Sequence, residues 1–155
     1  MVYSITLLIH SYLRWLVLVS LLAVLASAYA GLWRPRPYRP TDQLLRVVAT
    51  FIAHTQLLVG TYLYTISPII RYYWQYRPSF SKAPQFSFFG LIHLSLMLTA
   101  VILITIGSSK AKRQTDAQQQ LKTTAIYFTI GLLLILLAVP WPFSPLANRP
   151  WFRPF

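Results

Sequence analysis

Four long apolar runs, each closed by proline or by a cluster of basic residues, constrain this chain more than any other feature. The first extends from Ile5 to about Trp33 and is interrupted only by His10 and Arg14. The others cover Leu44 to about Ile66, Phe86 to Gly107, and about Ala125 to Val139, the last lengthened by its flanks Thr123 to Trp141. Crossing the hydrocarbon of a bilayer takes roughly 20 residues of helix. Inside lipid every backbone N–H and C=O needs an internal partner, which an α-helix supplies within one segment. The pattern therefore predicts an all-α fold: an integral membrane four-helix bundle running up-down-up-down. Its spans are expected at about 5–33, 44–66, 86–107 and 123–141, in a single transmembrane domain over 1–155. Composition agrees, with 56% hydrophobic and only 10% charged residues, where soluble domains carry about 25% charged.

The breaks between runs have local causes. Arg34-Pro-Arg-Pro-Tyr-Arg-Pro40 cannot continue a helix, because proline lacks the N–H and clashes with the preceding turn. Thr41 and Asp42 are expected to cap the second helix. Ser67-Pro68 ends it or kinks it on towards Tyr73. Pro84 suits the first turn of the third helix. Gly107-Ser-Ser-Lys-Ala-Lys-Arg113 is expected to stop that helix, and Gln114 to Lys122 leads into the fourth. Pro140 and Pro142 end the fourth. The tail, 142–155, is rich in Pro, Trp and Phe and reads as an interfacial segment.

The net charge of +12 comes from 14 Lys and Arg against two acids, Asp42 and Asp116. In a soluble chain such an excess would point to nucleic acid. Here the basic residues sit between apolar runs, so no nucleic-acid partner is expected, and the lipid bilayer is the partner that the charge serves. The loops after the first and third runs hold Arg34, Arg36, Arg39, Arg46, Lys110, Lys112, Arg113 and Lys122; the other side holds Arg71, Arg77, Lys82, Arg149 and Arg153. Positive loops stay in the cytoplasm, so both termini are expected outside it. The first run is too long, and lacks the basic start, for a cleavable signal peptide. Cysteine is absent, which excludes disulfides and thiolate-bound metals within the chain.

Ionisable residues inside spans are costly and are functional candidates by default. Four occur: His10 and Arg14 in the first helix, His54 in the second, His93 in the third. Histidines on three helices suggest a metal or haem site within the bundle, since neutral imidazole ligates haem iron and b-type haem needs no covalent anchor. Axial ligands must lie at similar depth. At 1.5 Å per residue, His10 and His93 both lie about 10 Å from the outer ends of their helices, and His54 about 18 Å. The matched pair is His10 with His93, with His54 a secondary cofactor-binding candidate. Each histidine also has a plainer role, a hydrogen bond to a neighbouring helix. Met97, one turn from His93, is an alternative soft ligand or ordinary packing. Arg14, one turn from His10, would suit a haem propionate, backbone carbonyls or a partner subunit. Tyr62, Tyr64, Tyr72, Tyr73, Trp74 and Tyr76 form an aromatic belt that would also receive a quinone headgroup. Gly60, Gly90 and Gly131 allow close approach of helices or of a macrocycle.

His10-Ser-Tyr-Leu-Arg-Trp15 resembles the HSxLRW opening of a family of small bacterial membrane proteins loosely called cytochrome b-like. Further pieces match in order: Asp42, Gln56-Leu-Leu-Val-Gly60, His93 with Met97, Ile104-Thr-Ile-Gly107 followed by Lys110-Ala-Lys-Arg113, and Ile135 to Pro142. The resemblance implies site roles for His10, His93 and Arg14 and a place in the bacterial inner membrane. The chain departs from it at Ile92, where the family often has glutamate, and at His54, where it often has aspartate. The expectation is a haem b protein for electron transfer, with His10 and His93 as axial iron ligands, quinone-linked or part of a respiratory complex. It is expected to assemble with other membrane subunits or with itself, as an electron carrier rather than a stand-alone enzyme. The alternative is a haem-free accessory or assembly subunit of a larger membrane complex.

Overall fold

The computed structural model describes residues 1–147 and 149–152. These form α1 (Val2–Trp33), α2 (Pro40–Ile66), α3 (Pro68–Tyr76), a short α4 (Pro84–Ser87), a π-helical turn (Phe88–Ile92), α5 (His93–Arg113) and α6 (Ala117–Ala138). The segment from α4 through α5 is one rod, Pro84–Arg113, so four helices are long and apolar enough to cross a membrane.

The four rods close into a ring in which α1 and α5 each pack on both α2 and α6. Neighbours are antiparallel. Ser27 of α1 meets Asp42 at the start of α2, and His10 meets Gln56 further along it. Arg46 of α2 meets Ser108 of α5, and Tyr64 meets Gly90. The inner faces repeat every three or four residues, as helix geometry requires: Val17, Leu21, Val24 and Ala28 in α1, and Leu121, Ala125, Phe128, Leu132 and Ile135 in α6. The outward residues are apolar too, including Phe51, Leu58, Leu133 and Leu137. Exposed side chains of that kind suit lipid and not water. α5 and α6 pack closely at Gly107, where a Cβ would stand 2.2 Å from Tyr127 Cβ.

Helix limits differ from the expected ones at several points. Asp42 does not cap α2 from outside. It stands in the first turn behind Pro40, and its carboxylate accepts the Arg39 N–H at 2.8 Å. Asp42 therefore lies within the second long apolar helix, Pro40–Ile66. Gly107 does not stop the third rod, which runs on to Arg113 because the missing side chain makes room for Tyr127. α6 starts at Ala117, with Asp116 accepting the Gln119 N–H at 2.8 Å, and ends at Ala138 rather than Trp141. The chain restarts after Ser67 as a separate helix, α3.

The bundle has two unlike ends. At the end carrying the α1–α2 and α5–α6 loops, polar groups are buried and paired. Asp42, 5% exposed, accepts from Ser27 Oγ at 2.5 Å and from both terminal nitrogens of Arg36 at 2.6 and 2.9 Å. The Asp42 carboxylate beside Arg36 holds that guanidinium above its usual pKa. Arg46, 4% exposed, donates to Ser108 O and Oγ at 2.6 and 2.8 Å and to Tyr38 Oη at 3.2 Å. At the other end the helices are unequal. α1 has 32 residues and α6 has 22, or about 48 Å against about 33 Å. The ring loses its fourth rod where α6 stops, and the space there is not filled by helix.

Candidate functional site

That space is a cavity of about 150 Å³, lined from all four rods and the tail. Ile135, Val139 and Pro140 line it at the point where α6 ends. His10 and Arg14 enter from α1, Gln56 and Gly60 from α2, His93 and Met97 from α5, and Arg149 from the tail. The rest of the lining is mainly aliphatic, so polar groups converge on an apolar chamber, the usual composition of a ligand site.

The His10 and His93 rings lie 6.3 Å apart, centre to centre, at 70° to each other. His93 Nδ1–H donates to the Ala138 main-chain oxygen at 2.8 Å. A carbonyl only accepts, so the proton is on Nδ1 and the Nε2 lone pair is left over. Ala138 is the last residue of α6, so the early end of that helix supplies the acceptor that orients His93. The π-helical turn Phe88–Ile92 immediately precedes His93. Such turns insert a residue into a helix and re-aim the side chains beyond it, and they recur at functional sites. Tyr64 Oη donates to Gly90 O within the turn at 2.8 Å, and the Tyr73 ring occupies the place of a Gly90 side chain. Phe88 and Phe89 pack their rings 5.8 and 6.0 Å from that of His93.

The tail explains Arg14. Its Nη2 donates to Pro150 O at 3.2 Å and to Trp151 O at 2.5 Å. Trp151 and Phe152 lie 6.1 and 5.6 Å from the Trp15 ring, and Trp141 lies 6.3 Å from it. The described part of the tail thus packs along α1 beside Arg14 and Trp15. Arg149 sits 5.2 Å over Phe89, tying the tail to the π turn. Arg153, counted in the charge balance, lies outside the described residues.

The sequence-derived candidates divide accordingly. His10, His93, Arg14 and Met97 share the cavity, and His54 does not. His54 Nδ1–H donates to Thr50 O at 2.8 Å, and its Nε2 lies 3.2 Å from Thr105 Oγ1, so both nitrogens have protein partners. Gln56, Arg149 and the π turn carried no site role in the sequence pattern. Gln56 stood in a matched segment without a task of its own. The π turn leaves only Gly90 as a trace.

By donor chemistry the pair fits a bis-imidazole metal centre. Two metal–nitrogen bonds of about 2.0 Å in line place the ring centres about 6 Å apart. Donation of the other ring N–H to a carbonyl is the usual outer partner of a ligating histidine, and His93 has it. The cavity is partly open, and its volume of about 150 Å³, the size of a site for one benzene ring, is smaller than the donors imply. No group of three or more His, Cys, Asp or Glu suited to a metal ion occurs among the described residues. No family model, curated protein or solved structure matches the chain.

Proposed function

We propose that this chain is a b-type haem membrane protein that carries electrons, with His10 and His93 as axial ligands. The observation that supports this most is the pair of imidazoles, on α1 and α5, 6.3 Å apart across one cavity. Bound there, haem would supply one-electron chemistry. The chain's own residues do the rest. Ala138 O holds His93 with its Nε2 lone pair available. The aliphatic lining keeps water away and lowers the local dielectric. The tail, held by Arg14, closes the side left open by α6. The resemblance of the His10–Trp15 segment to the cytochrome b-like family points the same way. We place the protein in the bacterial inner membrane, both termini outside the cytoplasm, with quinone or a respiratory complex as its redox partner and other membrane subunits or a second copy as its assembly partners.

One observation favours a second reading, a haem-free accessory subunit. The cavity as it stands holds a single ring, and a tetrapyrrole is several times larger. Absorption spectra of the purified protein separate the two. The haem reading expects a Soret band that is lost in His10→Ala and in His93→Ala and kept in His54→Ala. A band absent from the unsubstituted protein leaves the accessory-subunit reading, and a band unaffected by all three substitutions overturns His10 and His93 as the ligands. For orientation, a reporter fused after Phe155 is expected to be active only outside the cytoplasm, and cytoplasmic activity would reverse the topology.

A further inference from the structure

The segment Gln56-Leu-Leu-Val-Gly60 of α2 offers no metal ligand, yet both its ends touch His10. Residues four apart share one helix face. Gln56 Nε2 donates to the His10 main-chain oxygen at 3.1 Å and lies 3.4 Å from the ring Nε2. One turn on, a Cβ at Gly60 would stand 2.9 Å from His10 Cε1 and 3.4 Å from Nδ1, so the ring is seated where a side chain would otherwise be. Two atoms are left over: His10 Nδ1 and Gln56 Oε1 are buried without a partner among the described residues. Buried polar atoms without partners are uncommon and mark places where structure has yielded to another requirement.

A neutral imidazole carries one N–H and one lone pair. An amide N–H turned toward Nε2 needs the lone pair there and puts the proton on Nδ1. Rotation of the amide by half a turn would set its oxygen against the His10 main-chain oxygen, which only accepts, so Gln56 is held with its N–H toward the ring. His93 is tied by a backbone carbonyl that faces its Nδ1. His54 is tied in the same way to Thr50 O. Of the three histidines, only His10 has its proton placed by a side-chain N–H on its Nε2 rather than by a carbonyl on its Nδ1.

We propose that Gln56 is the positioning residue of this cavity: its amide N–H holds His10 in the tautomer with the proton on Nδ1 and the lone pair on Nε2, while Gly60 keeps the ring seated on α2. The consequence for haem rests on the function proposed above; the tautomer itself does not.

Nitrogen-15 NMR of histidine-labelled full-length protein in detergent, without added cofactor and at alkaline pH, reads the tautomers directly. The unsubstituted protein is expected to show Nδ1–H for all three rings. In Gln56→Glu, an ionised carboxylate only accepts, so His10 is expected to move to Nε2–H while His54 and His93 stay. In Gln56→Met, which keeps the length and removes both polar atoms, His10 is expected to become a mixture. An unchanged His10 in both variants overturns the proposal. If Gln56→Glu does not fold, seen as loss of the His54 and His93 signals, Gln56→Met decides: a mixture supports the proposal, and a single unchanged tautomer overturns it. In haem-loaded protein, Gln56→Met should keep the Soret band and shift the midpoint potential. A tautomer change in protein that never binds haem supports the role of Gln56 and defeats the haem reading alone.

Discussion

The two ends of the bundle use buried polar residues in opposite ways. At the loop end, Ser27, Arg36, Asp42 and the Arg39 N–H satisfy one another, and Arg46 finds three oxygens on Tyr38 and Ser108. At the cavity end, His10 Nδ1, Trp15 Nε1 and Gln56 Oε1 are buried without partners among the described residues. The apolar core divides in the same way. Buried residues of α1 lie almost entirely from Val17 onward, those of α2 end at Ala53, and those of α5 begin at Ala100. Only α6 is buried along its whole length, because it stops where the cavity begins. One end is built for stability, and the other keeps unmet hydrogen-bonding capacity, as expected where a chain departs from its own packing rules to bind something.

The comparison breaks most visibly at Asp42. Asp42→Ala leaves the Arg36 guanidinium facing Ser27 without its counter-charge. Removing one partner of a buried pair costs about 3–5 kcal/mol. Thermal unfolding in detergent should show that loss, while His10→Ala, which removes a partly unsatisfied group, should cost far less. Equal losses at the two positions would mean that the ends do not differ in this way.

The same substitution made at each end sharpens the contrast. Gly107→Ala sets a methyl 2.2 Å from Tyr127 Cβ, an atom fixed to the α6 backbone. Overpacking of that kind costs about 1–3 kcal/mol. Gly60→Ala meets His10 Cε1 at 2.9 Å, the far end of a side chain with a cavity beside it. Unfolding should show the smaller penalty at Gly60, with the His10 NMR signals displaced. A larger loss at Gly60 would show that the His10 ring is held as rigidly as the α5–α6 contact.

The smallest effect is expected at Arg14. Arg14→Leu removes the charge-assisted bonds to Pro150 O and Trp151 O, each worth about 1.5 kcal/mol net at these exposed positions, a loss that falls on the docking of the tail. The stacking of Trp151 and Phe152 on Trp15 remains. The expected outcome is faster proteolysis of the tail with little change in the unfolding midpoint. Wholesale unfolding would show that the tail belongs to the core.

Much of the fold was legible because lipid leaves so few options. Proline punctuation placed the first break and the α2–α3 break within a few residues. Gly107 was misread, since a glycine that admits Tyr127 and a glycine that ends a helix look alike in sequence. The depth count from helix ends paired His10 with His93 and set His54 apart, and the rings do lie together. It worked because helical rise is uniform. It said nothing of Ala138 or Gln56, which depend on neighbouring helices.

The sequence alone determined that four apolar helices form, where basic loops separate them, and which histidines share a depth. Those properties come from hydrophobic length, proline sterics and helical rise, all local along the chain. Only the tertiary structure decided that Asp42 caps α2 from inside its first turn while pairing with Arg36, that Arg14 holds the tail, and that a cavity opens beside His10. The cavity depends on α6 being shorter than α1 once the two stand side by side, and lengths can be compared only after the helices have packed.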